Sequence, residues 1–266
     1  QSTRALRELF PRTPLQRNDY LSRRFGAEIW LKREDLSPVR SYKLRGAFTA
    51  IRKVRAAQPD QRHFVCASAG THAQGVAFAC KHFGVKGTIF MPVTTPQQKI
   101  DKTRAFGGDA IRIVLTGDYF DQTLAASQMF CSEKGAHFLS PFDDFDVIEG
   151  QASVAVEMLE QLGHAPDLVI LPVGGGGLSA GVTQFLRIEA PQTAFRFVEP
   201  AGGASLTAAL AAAEPVKLRS VNSFVDGAAV ARLGDKTFAA LSWVKSSEVL
   251  LAPEDRICVT MLEMLN

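Results

Sequence analysis

The sequence predicts an α/β protein with mostly parallel sheet covered by helices on both faces. Two observations carry this. Short β-branched runs alternate with helical patterns at near-regular intervals from His63 to Glu199, as in βαβ units. Two glycine-rich turns, Ser68-Ala69-Gly70-Thr71-His72 and Gly174 to Gly177, each stand between an apolar run and a helix-like stretch. Ligands in such sheets sit beyond the carboxyl ends of strands, so both turns are placed to face one crevice.

Taken in order, Lys43 to Ala57 reads as a helix with an apolar stripe at Leu44, Ala47, Phe48, Ile51 and Val54, and Ser41 stands ahead of it as the N-cap. His63 to Ala67 reads as a strand before a helix over Ala73 to Phe83, and Gly87 to Met91 as one before Gln97 to Phe106. Ala110 to Leu115 precedes Tyr119 to Lys134, and His137 to Leu139 precedes Val147 to Leu162. Leu168 to Val173 runs into the four glycines and a helix over Ala180 to Ala190, with Ala194 to Glu199 the next strand. Ala201 to Ala213, rich in alanine and glycine, reads as a mobile surface stretch followed by a short helix, and Pro253 to Leu265 is helix-like. There is no internal repeat.

At 266 residues and 46% hydrophobic, the chain can bury a large core in one sizeable domain or two lobes. A net charge of +3 with interspersed signs does not suggest a nucleic-acid partner. The four cysteines, Cys66, Cys80, Cys131 and Cys258, are far apart and form no Cys-x-x-Cys pair, which argues against zinc and a disulfide framework and fits a reducing cytoplasm. No apolar run is long enough to cross a bilayer, and Gln1 as first residue leaves room for a trimmed targeting segment.

Four glycines in a row are roughly a one-in-a-hundred accident in a chain this long, and each costs about 1 kcal/mol relative to Ala in a helix. Bare backbone is therefore required there. A strand, a glycine loop and a helix N-terminus bring orphan N–H groups and the positive end of a helix dipole to one spot, which suits a phosphate. The second candidate is Lys43, in the first turn of its helix and flanked by Arg40 and Arg45. Like charges and partial burial both favour the neutral amine, the state that attacks a carbonyl. The alternative is a solvated basic face shared with Arg45, Arg52, Lys53 and Arg55. A phosphate cradle and a Schiff-base lysine together suggest pyridoxal phosphate, which has one phosphate and one aldehyde.

The chain resembles the threonine deaminases (threonine dehydratases, biosynthetic type) of the tryptophan-synthase-β-like, fold type II, class of pyridoxal phosphate enzymes. The resemblance rests on Thr13-Pro14-Leu15, Leu31 to Asp35, Ser41 to Ala47, Ala67 to Gly75, Pro92 with Thr95 to Lys99, Pro172 to Leu178, Glu199 to Gly202 and Val225 to Val230. It implies a two-lobed fold, with a small mobile lobe over residues 63–143 and a large cofactor-binding lobe made of 1–62 and 144–266. It also implies that Lys43 holds pyridoxal phosphate and later removes the substrate α-proton, that Tyr42 lies beside the cofactor ring, and that Gly227 lies against it. Gly174, Gly175, Gly176, Gly177 and the Leu178 amide would bind the phosphate, the acid for the departing hydroxyl. Ser68, Ala69, Gly70, Thr71 and His72 would clamp the substrate carboxylate, with His72 left out of the catalytic set. The implied reaction is β-elimination from L-threonine, and from L-serine, giving 2-oxobutanoate from threonine and ammonia. This is the first step of isoleucine biosynthesis, in a cytoplasmic homo-oligomer, dimer or tetramer.

Two departures from the family pattern stand out. Thr71 occupies the position of an Asn that hydrogen-bonds the cofactor ring oxygen, and a Thr hydroxyl reaches less far. The sequence ends at Asn266, before the family's segment that caps the pyridine nitrogen and before its regulatory domain. Three other readings compete. Gly175, Gly177, Gly181 and Glu199 form a loose dinucleotide fingerprint for an NAD-dependent oxidoreductase. A serine racemase or serine dehydratase is the nearest neighbour within the class, although Ser205 stands where racemases place a metal-binding acid. A catalytically impaired cofactor-binding fragment is the third.

Overall fold

The computed structural model describes residues 2–265, leaving out the side chain of Leu265; Gln1 and Asn266, the ends of the sequence, lie outside the described residues. The chain opens with helix α1 (Ser2–Leu9), strand β1 (Leu15–Arg17), helix α2 (Asp19–Phe25) and strand β2 (Trp30–Lys32), the two strands forming an antiparallel pair. Helix α3 (Lys43–Ala57) follows. Next comes the alternating stretch: β3 (His63–Ala67), α4 (Thr71–Phe83), β4 (Lys86–Met91), α5 (Gln97–Gly107), β5 (Ile111–Leu115), α6 (Phe120–Lys134) and β6 (His137–Phe138). The second half holds α7 (Phe145–Leu162), β7 (Leu168–Pro172), α8 (Gly177–Glu189), β8 (Ala194–Pro200), α9 (Ser205–Ala212), α10 (Asp235–Leu241), β9 (Val249–Ala252) and α11 (Glu254–Leu265).

The strands form two larger sheets, both parallel: a four-stranded one ordered β5-β4-β3-β6 and a three-stranded one ordered β7-β8-β9. In the first, the chain runs outward from β3 through β4 to β5 and then returns to place β6 on the other side of β3. The crevice between the carboxyl ends of β3 and β6 is therefore a topological switch point, where open α/β sheets bind ligands. The turns that leave those ends are residues 68–72 and 139–143.

Each sheet has its own core. Leu44, Phe48 and Ile51 of α3 pack with Phe64, Ile89 and Met91 of the first sheet; Val169, Leu171, Phe195 and Phe197 pack with Leu186, Leu206 and Leu241 in the second. Three glycines bring the intervening helices close. A methyl group on Gly150 of α7 would strike the Arg45 carbonyl of α3, one on Gly46 would meet Val147 and Gln151, and one on Gly181 of α8 would strike the Ile148 carbonyl and the Ala152 amide of α7. Gly181 thus serves the packing of α8 on α7. This packing fixes where the start of α3, and so Lys43, can lie.

Local readings change in two places. Ser41 is not the N-cap of α3: Tyr42 holds that position without a side-chain cap, and the Ser41 hydroxyl accepts the Lys43 amide at 3.2 Å from one residue farther out. The short helix expected in the Ala201 to Ala213 stretch is present, but the stretch is not a surface one. It contains α9, whose Ser205, Leu206 and Ala209 are buried, because the buried Glu199 carboxylate accepts the Leu206 and Thr207 amides and the Thr207 hydroxyl. Glu199 is therefore engaged as a helix cap and cannot hold a ribose. No helix among the described residues is long and apolar enough to cross a membrane.

Candidate active site

Lys43 is half-buried at the first residue of α3, and its Nζ donates to the Pro141 carbonyl at 2.7 Å. The rings of Tyr42 and Phe142 lie 5.4 and 5.9 Å from it. Among the described residues the amine has no carboxylate partner, and burial pulls its pKa down to about 8. At that pH about half the amine is neutral, against about one part in three hundred for an unshifted lysine. Burial is the cause, and the flanking arginines are not. Burial also pushes the Tyr42 phenol up to about 12.

The alternative of a solvated basic face is corrected by Arg45. Its side chain is fully buried, bonded to Glu34 at 2.8 and 2.9 Å, to Glu157 at 2.9 and 2.8 Å and to Ser153 at 3.0 Å. Lys32 adds a 2.7 Å bond to Glu157. Burial alone would lower the Arg45 pKa, but the two carboxylates hold it above its ordinary value. Removing one member of such a buried set strands the others at a cost of about 3–5 kcal/mol. The network anchors the turn of α3 that carries Lys43.

The tetraglycine loop follows β7 and opens α8, whose N-cap Gly176 has φ +87° and no side-chain cap. Gly175, Gly176 and Gly177 are buried. The six consecutive amides from Gly174 to Ser179 have no acceptor among the described residues. The last three are the orphan donors of any helix start; with the three loop amides ahead of them they form a run of donors with the geometry of an anion cradle. Its bare backbone also has packing causes: a methyl on Gly175 would land in the Phe142 ring, and one on Gly174 would sit 3.0 Å from the Ala228 Cα.

The carboxylate turn is looser. Ser68, Ala69 and Gly70 are half-buried and Thr71 is exposed. Two of its amides are already used, Ser68 bonding to the Phe90 carbonyl at 3.0 Å and Gly70 to the Ser68 hydroxyl at 3.1 Å. The Ala69 and Thr71 amides and the Thr71 hydroxyl have no partner among the described residues. The Ser68 hydroxyl still has its proton to donate. His72 is buried and its Nε2 donates to the Leu139 carbonyl at 3.1 Å; burial, then the Lys43 charge, lowers its pKa to about 3, so the ring is neutral.

The loop at 139–144 joins these parts and was not identified from the sequence. Leu139 accepts His72 and Pro141 accepts Lys43. The Asp143 carboxylate accepts the amides of Asp235, Lys236 and Thr237 at 3.1, 2.7 and 3.2 Å, while Asp144 caps α7. Only Asp144, just ahead of an apolar helix, left a readable cap signal. Gly227 is exposed, and a methyl built on it meets nothing within 4 Å. That leaves room for a flat ring against its backbone.

Parallel α/β sheets whose switch-point loop meets both a half-buried lysine of lowered pKa and a run of unpaired glycine-loop amides have the layout of an α/β enzyme that could hold a phosphorylated carbonyl cofactor. The features fit pyridoxal phosphate. The family model for pyridoxal-phosphate dependent enzymes matches residues 6–266, and the chain belongs to that family. It is 47% identical over 254 residues to a protein of Bacillus subtilis (strain 168) named L-threonine dehydratase biosynthetic IlvA, covering 96% of this chain and 60% of that protein. A Mycobacterium leprae protein of the same name is 46% identical, with 95% and 59% coverage. The chain thus spans about three-fifths of the length of these relatives. Among solved structures, the processed form of threonine deaminase isoform 2 from Solanum lycopersicum superposes with a TM-score of 0.84 at 40% identity, covering 91% of this chain and 69% of that one. Maize serine racemase superposes at 0.87 with 27% identity, covering 98% and 78%.

Proposed function

We propose that the protein uses pyridoxal phosphate to dehydrate and deaminate L-threonine to 2-oxobutanoate and ammonia, with L-serine as a second substrate. The observation that carries this reading is the Lys43 amine and six unpaired cradle amides, both in contact with one loop at 139–143. The threonine dehydratases and deaminase among the relatives support the substrate.

In this reading the amides of Gly174 to Leu178 and the dipole of α8 hold the cofactor phosphate, and the backbone of Gly227 offers its ring a flat floor. When bound, the cofactor supplies an electron sink for the substrate carbon that loses its proton. The Ala69 and Thr71 amides and the Ser68 hydroxyl receive the substrate carboxylate. Lys43, about half neutral near pH 8, takes up the α-proton; over the whole elimination the α-proton and the β-hydroxyl depart together as one water, and the released enamine takes up one water to give ketoacid and ammonia. The four-stranded sheet, residues 63–143, acts as the lobe that closes over the substrate and excludes water. The enzyme serves isoleucine formation in the cytoplasm, as a homo-oligomer.

Ser205 does not favour a metal-dependent racemase: its buried hydroxyl donates to the Gly174 carbonyl at 2.9 Å. The test is an absorbance titration with pyridoxal phosphate, followed by borohydride, peptide mass spectrometry and a ketoacid assay. The expected result is a Schiff-base band that reduction fixes on Lys43, with 2-oxobutanoate formed from threonine. A band fixed elsewhere, or no ketoacid from either amino acid, would end this reading.

A further inference from the structure

The cradle is held from behind by two buried hydroxyls that belong to neither its loop nor its helix. Ser205, at the first residue of α9, donates to the Gly174 carbonyl at 2.9 Å. Thr237, in α10, donates to the Gly175 carbonyl at 2.8 Å and lies 3.1 Å from the Gly234 carbonyl as a second acceptor. Both side chains are fully buried. The Thr237 side chain also packs on Gly176, where a methyl group would sit 3.0 Å from its Cβ.

A trans peptide unit is planar, with C=O and N–H pointing in opposite directions. Holding the Gly174 carbonyl toward Ser205 therefore turns the Gly175 amide the other way, and holding the Gly175 carbonyl toward Thr237 does the same for the Gly176 amide. Glycine peptides have little intrinsic preference against flipping, so without these two anchors the amides of the loop would sample both directions. Each anchor is itself secured. Ser205 is fixed because the Glu199 carboxylate caps α9, and Thr237 because Asp143 caps α10.

We propose that Ser205 and Thr237 are positioning residues that orient the Gly175 and Gly176 amides toward the bound phosphate, and so set the cofactor's phosphate affinity without touching it. The proposal rests on the cradle assigned above and concerns only the phosphate end of the cofactor. It is tested by comparing pyridoxal phosphate with pyridoxal, which has the aldehyde and ring but no phosphate, by the Schiff-base absorbance of the 266-residue chain. The wild type is expected to prefer pyridoxal phosphate strongly. Thr237→Val and Ser205→Ala are each expected to lower that preference about ten-fold, with pyridoxal affinity unchanged, and Thr237→Ser to restore it. A general loss of packing would weaken both ligands together, so the ratio separates orientation from folding. Unchanged preference in both variants, or equal weakening of the two ligands, overturns the proposal while the cradle stands. A wild type that binds both ligands equally overturns the cradle and the proposal with it.

Discussion

Gly174 to Gly177 and Ser68 to His72 both follow a parallel strand and both open a helix without a side-chain cap, yet they are held very differently. The first is packed between Phe142, Ala228, Leu233 and Thr237, so that a methyl group would strike Phe142 at Gly175 and be crowded at 3.0 Å at each of the other three glycines. The second is half-buried, its tip at Thr71 is exposed, and a methyl on Gly70 would find its nearest neighbour, the Ser68 hydroxyl, only at 4.0 Å. Rigid donors suit an occupant that stays, since nothing is spent on ordering them at each encounter. A looser set suits one that enters and leaves with every turnover. The structural contrast thus parallels the proposed division between a resident cofactor and a passing amino acid.

The largest effect should come from the residue between the two turns. Lys43→Ala is expected to abolish the Schiff-base band and to lower ketoacid formation by more than about a thousand-fold, while pyridoxal phosphate still competes for the cradle in equilibrium dialysis. If instead the cradle loses the cofactor altogether, the two functions of the site are not separable in this way. With Lys43 intact, the rate of Schiff-base formation should rise through about pH 8, where the amine loses its proton.

The contrast between the turns is tested most directly by adding one methyl group to each. Gly175→Ala must displace the Phe142 ring, and overpacking of this kind costs about 1–3 kcal/mol, so thermal unfolding and cofactor affinity should both suffer. Gly70→Ala, at φ −118° and ψ −151° with open space beside it, should stay within about 0.5 kcal/mol of the wild type and leave cofactor binding alone. Equal melting temperatures for the two variants would remove the distinction drawn here.

The contrast explains why parts of the site were legible in the sequence and others were not. Four consecutive glycines, and a lysine at the first turn of an amphipathic helix, are local signals, and both fell where expected. The alternating strands were found to within a residue or two, His63–Ala67 without error, because most are short runs rich in apolar residues bounded by turns. What holds the cradle is not local: Thr237 reaches Gly175 across 62 residues and Ser205 reaches Gly174 across 31. Arg45 read as part of a solvated face because its partner Glu157 lies 112 residues away. Elements such as β1, β2, α10 and β9, three to seven residues long, have too few positions for a periodicity and exist through the neighbours they pair with or cap.

Acid should loosen the open turn first. His72 is neutral in the fold, with a pKa lowered to about 3 against about 6.5 in an unfolded chain. Between those values the unfolded state binds more protons, so stability falls as pH drops through 6.5 toward 3. The loss is about 2 kcal/mol from above pH 7 down to pH 5. His72→Gln, which can still donate to Leu139, should flatten the stability curve over that window. An equally steep curve in denaturant titrations of the variant would assign the acid sensitivity elsewhere.

The smallest expected effect concerns how the open turn is held over the site. The helices α5 and α6 that cover the four-stranded sheet touch the segment ahead of α10 through two exposed ion pairs of opposite sense, Lys99 with Asp226 and Asp121 with Lys217, each at 2.5 Å. Asp226 adjoins Gly227, the floor proposed for the cofactor ring. Exposed pairs are weak and screened by salt, which would suit contacts that break and re-form in the proposed closure of the lobe. Raising sodium chloride from about 50 mM to about 0.5 M should therefore raise KM for the amino acid about two-fold and leave the affinity of the locked cradle for pyridoxal phosphate nearly unchanged after correction for ionic competition. Exchanging the charges, Lys99→Asp with Asp226→Lys, should restore what either single change loses. Single changes that do nothing, or a swap that fails to rescue, would mean that the open turn is positioned by its own sheet alone.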